Sequence, residues 1–186
     1  MLVRWPLGSF RSEQYSQTRI RESTNGYSLQ WIARTNGWHE FISMQNYHNL
    51  LYREEEREMI PYCKSTGVGL IPWSPVARGV LTRPWDSRST KREETDNFLK
   101  NMIRSRETEV DKTIVQRVEA IAKKHDVSMT CIATAWSISK GCCPIIGLSS
   151  DKRVDEAVFN SSFDKLSKED IEYLEEPYLP KAIQGY

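Results

Sequence analysis

Val68-Gly69-Leu70-Ile71-Pro72-Trp73-Ser74-Pro75 is the stretch whose reading decides the fold. Its apolar centre has the length of a buried strand, and Pro72 cannot donate to a strand ladder, so the strand ends there. Working backward, residues 53–65 predict a helix that opens on Glu54, Glu55 and Glu56. Carboxylates favour the positive end of a helix dipole, and Gly67 supplies the stop. Earlier still, Phe41-Ile42-Ser43-Met44-Gln45-Asn46 reads as a short strand whose last polar residues emerge at its carboxyl end. Strand, helix, strand with a crossover is the arrangement that parallel pairing requires.

Working forward, residues 74–110 mix charge with turn formers and show no apolar period, which predicts a long excursion over the surface; loops of that length are commonly functional. A helix over 112–125 follows, with Ile114, Val115, Val118, Ile121 and Ala122 at helical spacing. Ser128 then caps a second helix through Ile132, Ala135 and Trp136 to Gly141. Residues 143–148 form a third strand candidate, residues 152–159 a helix, and Ser167 with Asp170 caps a last helix over 167–174. On the amino-terminal side a helix over 27–34 stops at Asn36-Gly37, whereas residues 1–26 keep no period and read as irregular. The chain therefore divides into 1–26 and a domain over 27–186. This alternation of strand and helix is α/β, but three or four strands fall short of the eight, over about 250 residues, that close a parallel barrel.

Composition excludes several classes. The 186 residues carry 26 Lys and Arg against 25 Asp and Glu, a net charge of +1, so no polyanion-binding surface is indicated and no nucleic acid is expected. The first ten residues hold Arg4 and Pro6 and lack the long apolar core of a secretory signal or membrane span, which leads us to expect a cytoplasmic protein without a membrane partner. Cys63, Cys131, Cys142 and Cys143 contain no C-x-x-C pair and are read as reduced and structural. His39, His48 and His125 stand at no ligand spacing to them, so no metal is expected.

In parallel α/β folds ligands collect outside the carboxyl ends of the strands, which directs attention to Gln45-Asn46, Trp73-Ser74-Pro75 and Ser149-Ser150 with Lys152-Arg153. Those positions offer an amide for another amide, a broad aromatic face, and hydroxyls beside two cations. Together with residues 51–59 and Val76-Ala77-Arg78-Gly79, these stretches resemble, in the same order, the aldo-keto reductase superfamily, in particular its fungal aryl-alcohol dehydrogenase-like branch. The resemblance runs from about Tyr27 to the carboxyl terminus.

It implies an incomplete (β/α)8 TIM barrel, the C-terminal half, with parallel strands and surrounding helices, and NADP as the cofactor, bound without a G-x-G-x-x-G motif. By position, Gln45 resembles the residue that holds the nicotinamide carboxamide and Trp73 the ring stacked on the nicotinamide. Ser74, Pro75, Val76, Arg78 and Gly79 resemble the loop along the pyrophosphate. Ser149, Lys152 and Arg153 fall where the 2′-phosphate is held, and Glu156 at an adenine-contacting position, next to Ala157 where the family is often polar. Each residue also has a plainer role: Gln45 a strand cap, Trp73 core packing, Lys152-Arg153 a solvated helix end. The Glu54 to Glu58 cluster is read as structural, and Tyr47-His48 as a loop pair.

The implied reaction is hydride transfer between NADPH and an aldehyde, ketone or aryl alcohol, in the setting of fungal secondary metabolism, with a tyrosine, lysine, aspartate and histidine set moving the proton. That set belongs to the first half of such a barrel, and residues 1–26 contain no Asp, Lys or His, so the chain reads as truncated and without catalytic residues of its own. A non-catalytic remnant or nucleotide-sensing module is the alternative. An open barrel edge would also favour self-association.

Overall fold

Pro72 shapes the sheet through its missing N–H while its carbonyl still accepts a bond. The computed structural model describes residues 23–87, 94–97 and 99–183. Strand β1 (Ser43–Met44) runs parallel to β2 (Gly69–Leu70), with Ser43 opposite Gly69 and Met44 opposite Leu70. Beyond the strands proper the ladder continues: Ile71 N donates to Met44 O at 2.9 Å and Trp73 N to Asn46 O at 2.9 Å. On the other side of β2, Cys143 N donates to Leu70 O at 2.8 Å and Ile145 N to Pro72 O at 2.9 Å. Three parallel segments thus lie side by side in chain order, as successive strands of a parallel barrel do.

The strands are shorter than the sequence predicts. The segment expected over 143–148 makes isolated bridges at Cys142 and Ile145 rather than a strand: Cys143 and Ile145 donate to Leu70 and Pro72, but Pro72 has no N–H to return between them. Phe41 and Ile42 fall outside β1, and Ile42 is 81% exposed.

The helix expected over 53–65 divides into a 3-10 turn, Glu54–Glu56, and α2, Met59–Thr66. Pro61 is the reason. A proline ring clashes with the carbonyl four residues earlier and donates nothing, so it is accommodated only in a first turn and the helix starts just ahead of it. Gly67 ends α2 in the left-handed conformation, φ 76°. Helix α3 (Glu109–His125) begins ahead of residue 112, because Thr108 and Asp111 form a reciprocal capping box. Helix α4 (Met129–Ser139) is capped by Ser128, whose Oγ accepts from Cys131 N at 3.1 Å. Helices α5 (Asp151–Ser161) and α6 (Lys168–Glu175) follow, the latter with the expected Ser167 and Asp170 box.

The excursion over 74–110 is not purely superficial. A 3-10 segment, Ala77–Thr82, and a π-helical turn, Leu99–Ile103, bring Ala77, Val80, Leu81 and Leu99 into the core against Ile114, Val118, Ile132 and Trp136. Apolar residues this sparse produce no period in the sequence, although each finds a buried place. Cys63, Cys131 and Cys142 are buried and Cys143 is exposed, all four reduced. Burial pushes the Cys63 and Cys131 thiols up to about 11, away from thiolate chemistry.

The chain divides into two units, residues 43–181 and residues 1–42 with 182–186. In the second of these, α1 (Ser23–Thr35) starts before residue 27, inside the segment read as irregular, and ends near Gly37 at φ 66°. Gln30 ties the returning chain by both ends of its amide: Nε2 donates to Phe41 O at 3.1 Å and Oε1 accepts from Phe41 N at 2.9 Å. The reading of residues 1–22 lies outside the described residues. Among the described residues no helix is long and apolar enough to cross a membrane.

A network of charges ties residues 48–57 to the carboxyl-terminal segment. Glu56 receives His48 Nε2 at 2.9 Å and Arg53 Nη2 at 2.7 Å, and Arg53 also reaches Glu175 at 2.8 Å. Glu54 accepts from the Tyr178 hydroxyl and the Lys181 N–H, both at 2.7 Å. Burial works against the Glu56 charge, but bonds from His48 and Arg53 and the nearby Lys140 outweigh it and hold the carboxyl at about 2. A carboxyl depressed on folding stabilises the native state above its unfolded value and loses that contribution as pH falls. We therefore expect on the order of 2 kcal/mol to disappear between pH 4.5 and 2, discounted for partial exposure. Thermal melts across that range should steepen with acid in the parent chain, and Glu56→Gln should lower the neutral-pH melting point and flatten the acid slope.

Candidate functional site

The loop leaving β2 holds an unusual backbone. Ser74 (φ 55°), Ala77 (49°), Arg78 (54°) and Gly79 (101°) all lie in the left-handed region, three of them with a Cβ. Such conformations cost on the order of 1 kcal/mol each for non-glycine residues and persist only where surrounding contacts impose them. The contacts are visible. Asn49 Nδ2 donates to Ser74 O at 3.1 Å, Ser74 Oγ accepts from Arg78 N at 3.0 Å, and the Ala77 side chain is fully buried. Arg78 Nε and Nη2 both bond Asp96 Oδ2, at 2.9 and 2.7 Å, while Asp96 Oδ1 accepts from Leu99 N at 3.0 Å. Asp96 thereby fastens the excursion to the loop.

Opposite that loop stands the amino end of α5. Its N-cap Ser150 is extended but makes no side-chain capping bond, although Ser caps normally do. Arg153 sits one turn in, its Nη1 donating to Ser149 Oγ at 2.9 Å. Two cations, Lys152 and Arg153, at the positive end of a helix dipole disfavour one another and favour an anion between them.

Loop and helix enclose a cleft of about 660 Å³, within the ~300–1,000 Å³ range of small-molecule sites. Of the residues singled out from sequence, Val76, Arg78, Gly79, Ser149, Arg153 and Glu156 line it. Ser74 and Pro75 do not; Ser74 braces the loop and Pro75 is buried beneath it. Lys152 is exposed beyond the lining. Gln45 and Trp73 stand apart from the cleft, at the adjoining carboxyl ends of β1 and β2. The Trp73 ring is fixed on one face by Tyr47, centroids 4.4 Å apart, and Tyr52 continues the stack at 4.8 Å from Tyr47.

Sequence reasoning missed Thr82, Arg83, Thr95, Asp96, Thr130 and Asn160, all of which line the cleft. Asn160 had a signal, since it follows Glu156 by four residues on one helix face. Thr95 and Asp96, in a stretch without period, had none. Tyr47 and His48 take no place in the lining. Burial pushes the Tyr47 hydroxyl up to about 12, and His48 packs on Trp136 at 5.0 Å while bonding Glu56. Among the described residues no group of three His, Cys, Asp or Glu gathers to hold a metal.

Parallel segments in chain order, helices returning between them, and a polar cleft outside their carboxyl ends define part of a (β/α)8 barrel. The chain belongs to the aldo/keto reductase family, which residues 23–178 match. It is 60% identical to versiconal hemiacetal acetate reductase of Aspergillus parasiticus over 157 residues, 84% of this chain and 46% of that protein. A Schizosaccharomyces pombe protein assigned by name as an aryl-alcohol dehydrogenase is 56% identical over 158 residues, 84% of this chain and 47% of its own length. The crystal structure of a thermostable aldo-keto reductase, Tm1743, superposes with a TM-score of 0.55 at 20% identity, over 77% of this chain and 42% of that one. The chain spans about half the length of the relatives it matches. Members of the family generally use NADH or NADPH.

Proposed function

We propose that this chain is the cofactor-binding portion of an NADP-dependent oxidoreductase that exchanges hydride between NADPH and an aldehyde, ketone or aryl alcohol. The observation that carries the reading is the amino end of α5: a helix terminus without a side-chain cap, beside Arg153 and Ser149, facing a strained loop across a cleft of about 660 Å³. An adenosine bearing a 2′-phosphate suits that donor set, because the phosphate can take backbone N–H groups and the guanidinium fork together. Arg78 would neutralise the pyrophosphate, exchanging part of its pairing with Asp96 for phosphate oxygens. At the far end Gln45 would bond the carboxamide and Trp73, steadied by Tyr47, would set the exposed face of the nicotinamide ring. When bound, the nicotinamide supplies the hydride.

A second reading, a nucleotide-sensing module or catalytically inactive remnant, draws on the same cleft and asks only for binding groups there. The substrate class follows the names of the relatives, a hemiacetal acetate reductase and an aryl-alcohol dehydrogenase, and a setting in fungal secondary metabolism, a cytoplasmic location and self-association belong to the same proposal. Ile145, on the outermost paired segment, is 43% exposed and marks the edge through which copies would meet. One experiment separates the readings: titrate purified chain with NADPH, follow cofactor fluorescence, then add aromatic aldehyde, with the oligomer size monitored. Saturable binding with turnover supports the enzyme, saturable binding without turnover supports the sensing module, and absence of binding contradicts both.

A further inference from the structure

Asn49 is fully buried and takes no place in the cleft lining, yet it is bonded into the loop that forms one bank. Its main chain is fixed at both ends, N donating to Tyr52 O at 3.1 Å and O accepting from Tyr52 N at 3.0 Å. Its amide joins two segments. Oδ1 accepts from Leu51 N at 3.0 Å within the same turn, and Nδ2 donates to Ser74 O at 3.1 Å, 25 positions along the chain. The first bond orients the second, because an amide whose oxygen is engaged presents its NH2 in a fixed direction.

Ser74 needs such a hold. Its φ of 55° is unfavourable for a residue with a Cβ, and the Pro75 ring that follows biases it toward extended backbone instead. The Ser74 carbonyl takes a second bond from Ala77 N at 2.9 Å. That bond lies inside the loop and turns with it, whereas the bond from Asn49 fixes the loop against the turn that follows β1. Ser74 Oγ in turn accepts from Arg78 N at 3.0 Å. A contiguous path therefore runs from the Asn49 amide through Ser74 to Arg78, which lines the cleft and bonds Asp96 there.

We infer that Asn49 is a positioning residue that sets the left-handed conformation of Ser74 and through it aims Arg78 at the pyrophosphate, an inference that rests on the NADPH reading above. The full chain and its variants would be titrated calorimetrically with NADPH, with 2′-phospho-ADP-ribose, which carries the pyrophosphate, and with adenosine 2′-monophosphate, which does not. The parent chain should favour 2′-phospho-ADP-ribose over the monophosphate by at least ~10-fold, the worth of a charge-assisted bond to Arg78. Asn49→Leu keeps the branched shape without a donor. It should cut that preference to about threefold or less and leave affinity for the monophosphate within about twofold of the parent. Arg78→Ala should cut the preference likewise, and adding Asn49→Leu to it should change the preference by less than about twofold, since a residue acting through Arg78 then has nothing to act on. Asn49→Asp keeps an acceptor for Leu51 N but, ionised, offers Ser74 no donor; it should follow Asn49→Leu and serves if the leucine variant folds poorly. A purely structural role would weaken both nucleotides together, or keep the parental preference in a chain that melts earlier. Either result overturns the inference, as do additive losses in the double variant or a parent chain indifferent to the pyrophosphate, and all of these leave NADPH binding standing. No saturable binding of NADPH by the parent chain overturns both, and locates the failure in the underlying reading.

Discussion

Replacing Trp136 by alanine is expected to lower the unfolding free energy by about 3–5 kcal/mol, the range for truncating a buried aromatic. Its side chain is fully buried in the core cluster. Its Nε1 donates to Glu175 Oε1 at 2.8 Å, the His48 ring lies 5.0 Å away, and Arg53 and Lys140 approach its ring at 5.8 and 5.7 Å. Alanine would therefore open a cavity and remove the donor that orients Glu175, which also pairs with Arg53 and Lys140. Domains of this size are stable by only about 5–15 kcal/mol, so the loss is a large share of the total. Urea unfolding followed by far-ultraviolet circular dichroism would measure it. Trp136→Phe keeps most of the packing and loses the N–H, so its cost should be well under half that of alanine.

Arg153→Ala should weaken NADPH binding by ~10–100-fold while changing NADH binding less than about threefold. The asymmetry is the informative part. On the proposed reading the Arg153 guanidinium would meet the 2′-phosphate, which NADH lacks; in the chain alone its Nη1 donates to Ser149 Oγ at 2.9 Å. Lys152, exposed and outside the cleft lining, should show a smaller effect, confined to low ionic strength. Parallel titrations with both dinucleotides would check the pair. Equal losses for NADPH and NADH would mean that Arg153 supports the cleft without reading the phosphate.

The helices were legible because their signals are local. Ser128, and Ser167 with Asp170, are capping residues that make in space the bonds their spacing announces. Gly67 stops α2 for a reason contained in one residue, its positive φ. What escaped depends on partners far along the chain. Pro61 breaks the helix expected over 53–65, and the freed Glu54 and Glu56 turn toward Tyr178, His48 and Arg53, so the acidic run became a charge network rather than a helix start. Asp96 joins the cleft through Arg78, eighteen positions away, and no period links them. The third strand shrank to two bridges because Pro72 has no N–H to donate back between the bonds it and Leu70 accept from Ile145 and Cys143. Of the eleven residues chosen by resemblance, six line the cleft, whereas Gln45, Trp73, Ser74, Pro75 and Lys152 do not.

On the proposed reading, the amino end of α5 would receive adenosine with a 2′-phosphate and the loop over 74–79 the adjoining pyrophosphate. Adenosine 2′,5′-bisphosphate carries the adenosine end of that ligand and nothing of the nicotinamide. Calorimetric titration of the purified chain should give saturable, single-site binding of this compound, at least ~10-fold tighter than adenosine 5′-monophosphate and weakening as salt is raised. Equal affinity for the two nucleotides, or no saturable binding of either, would contradict it.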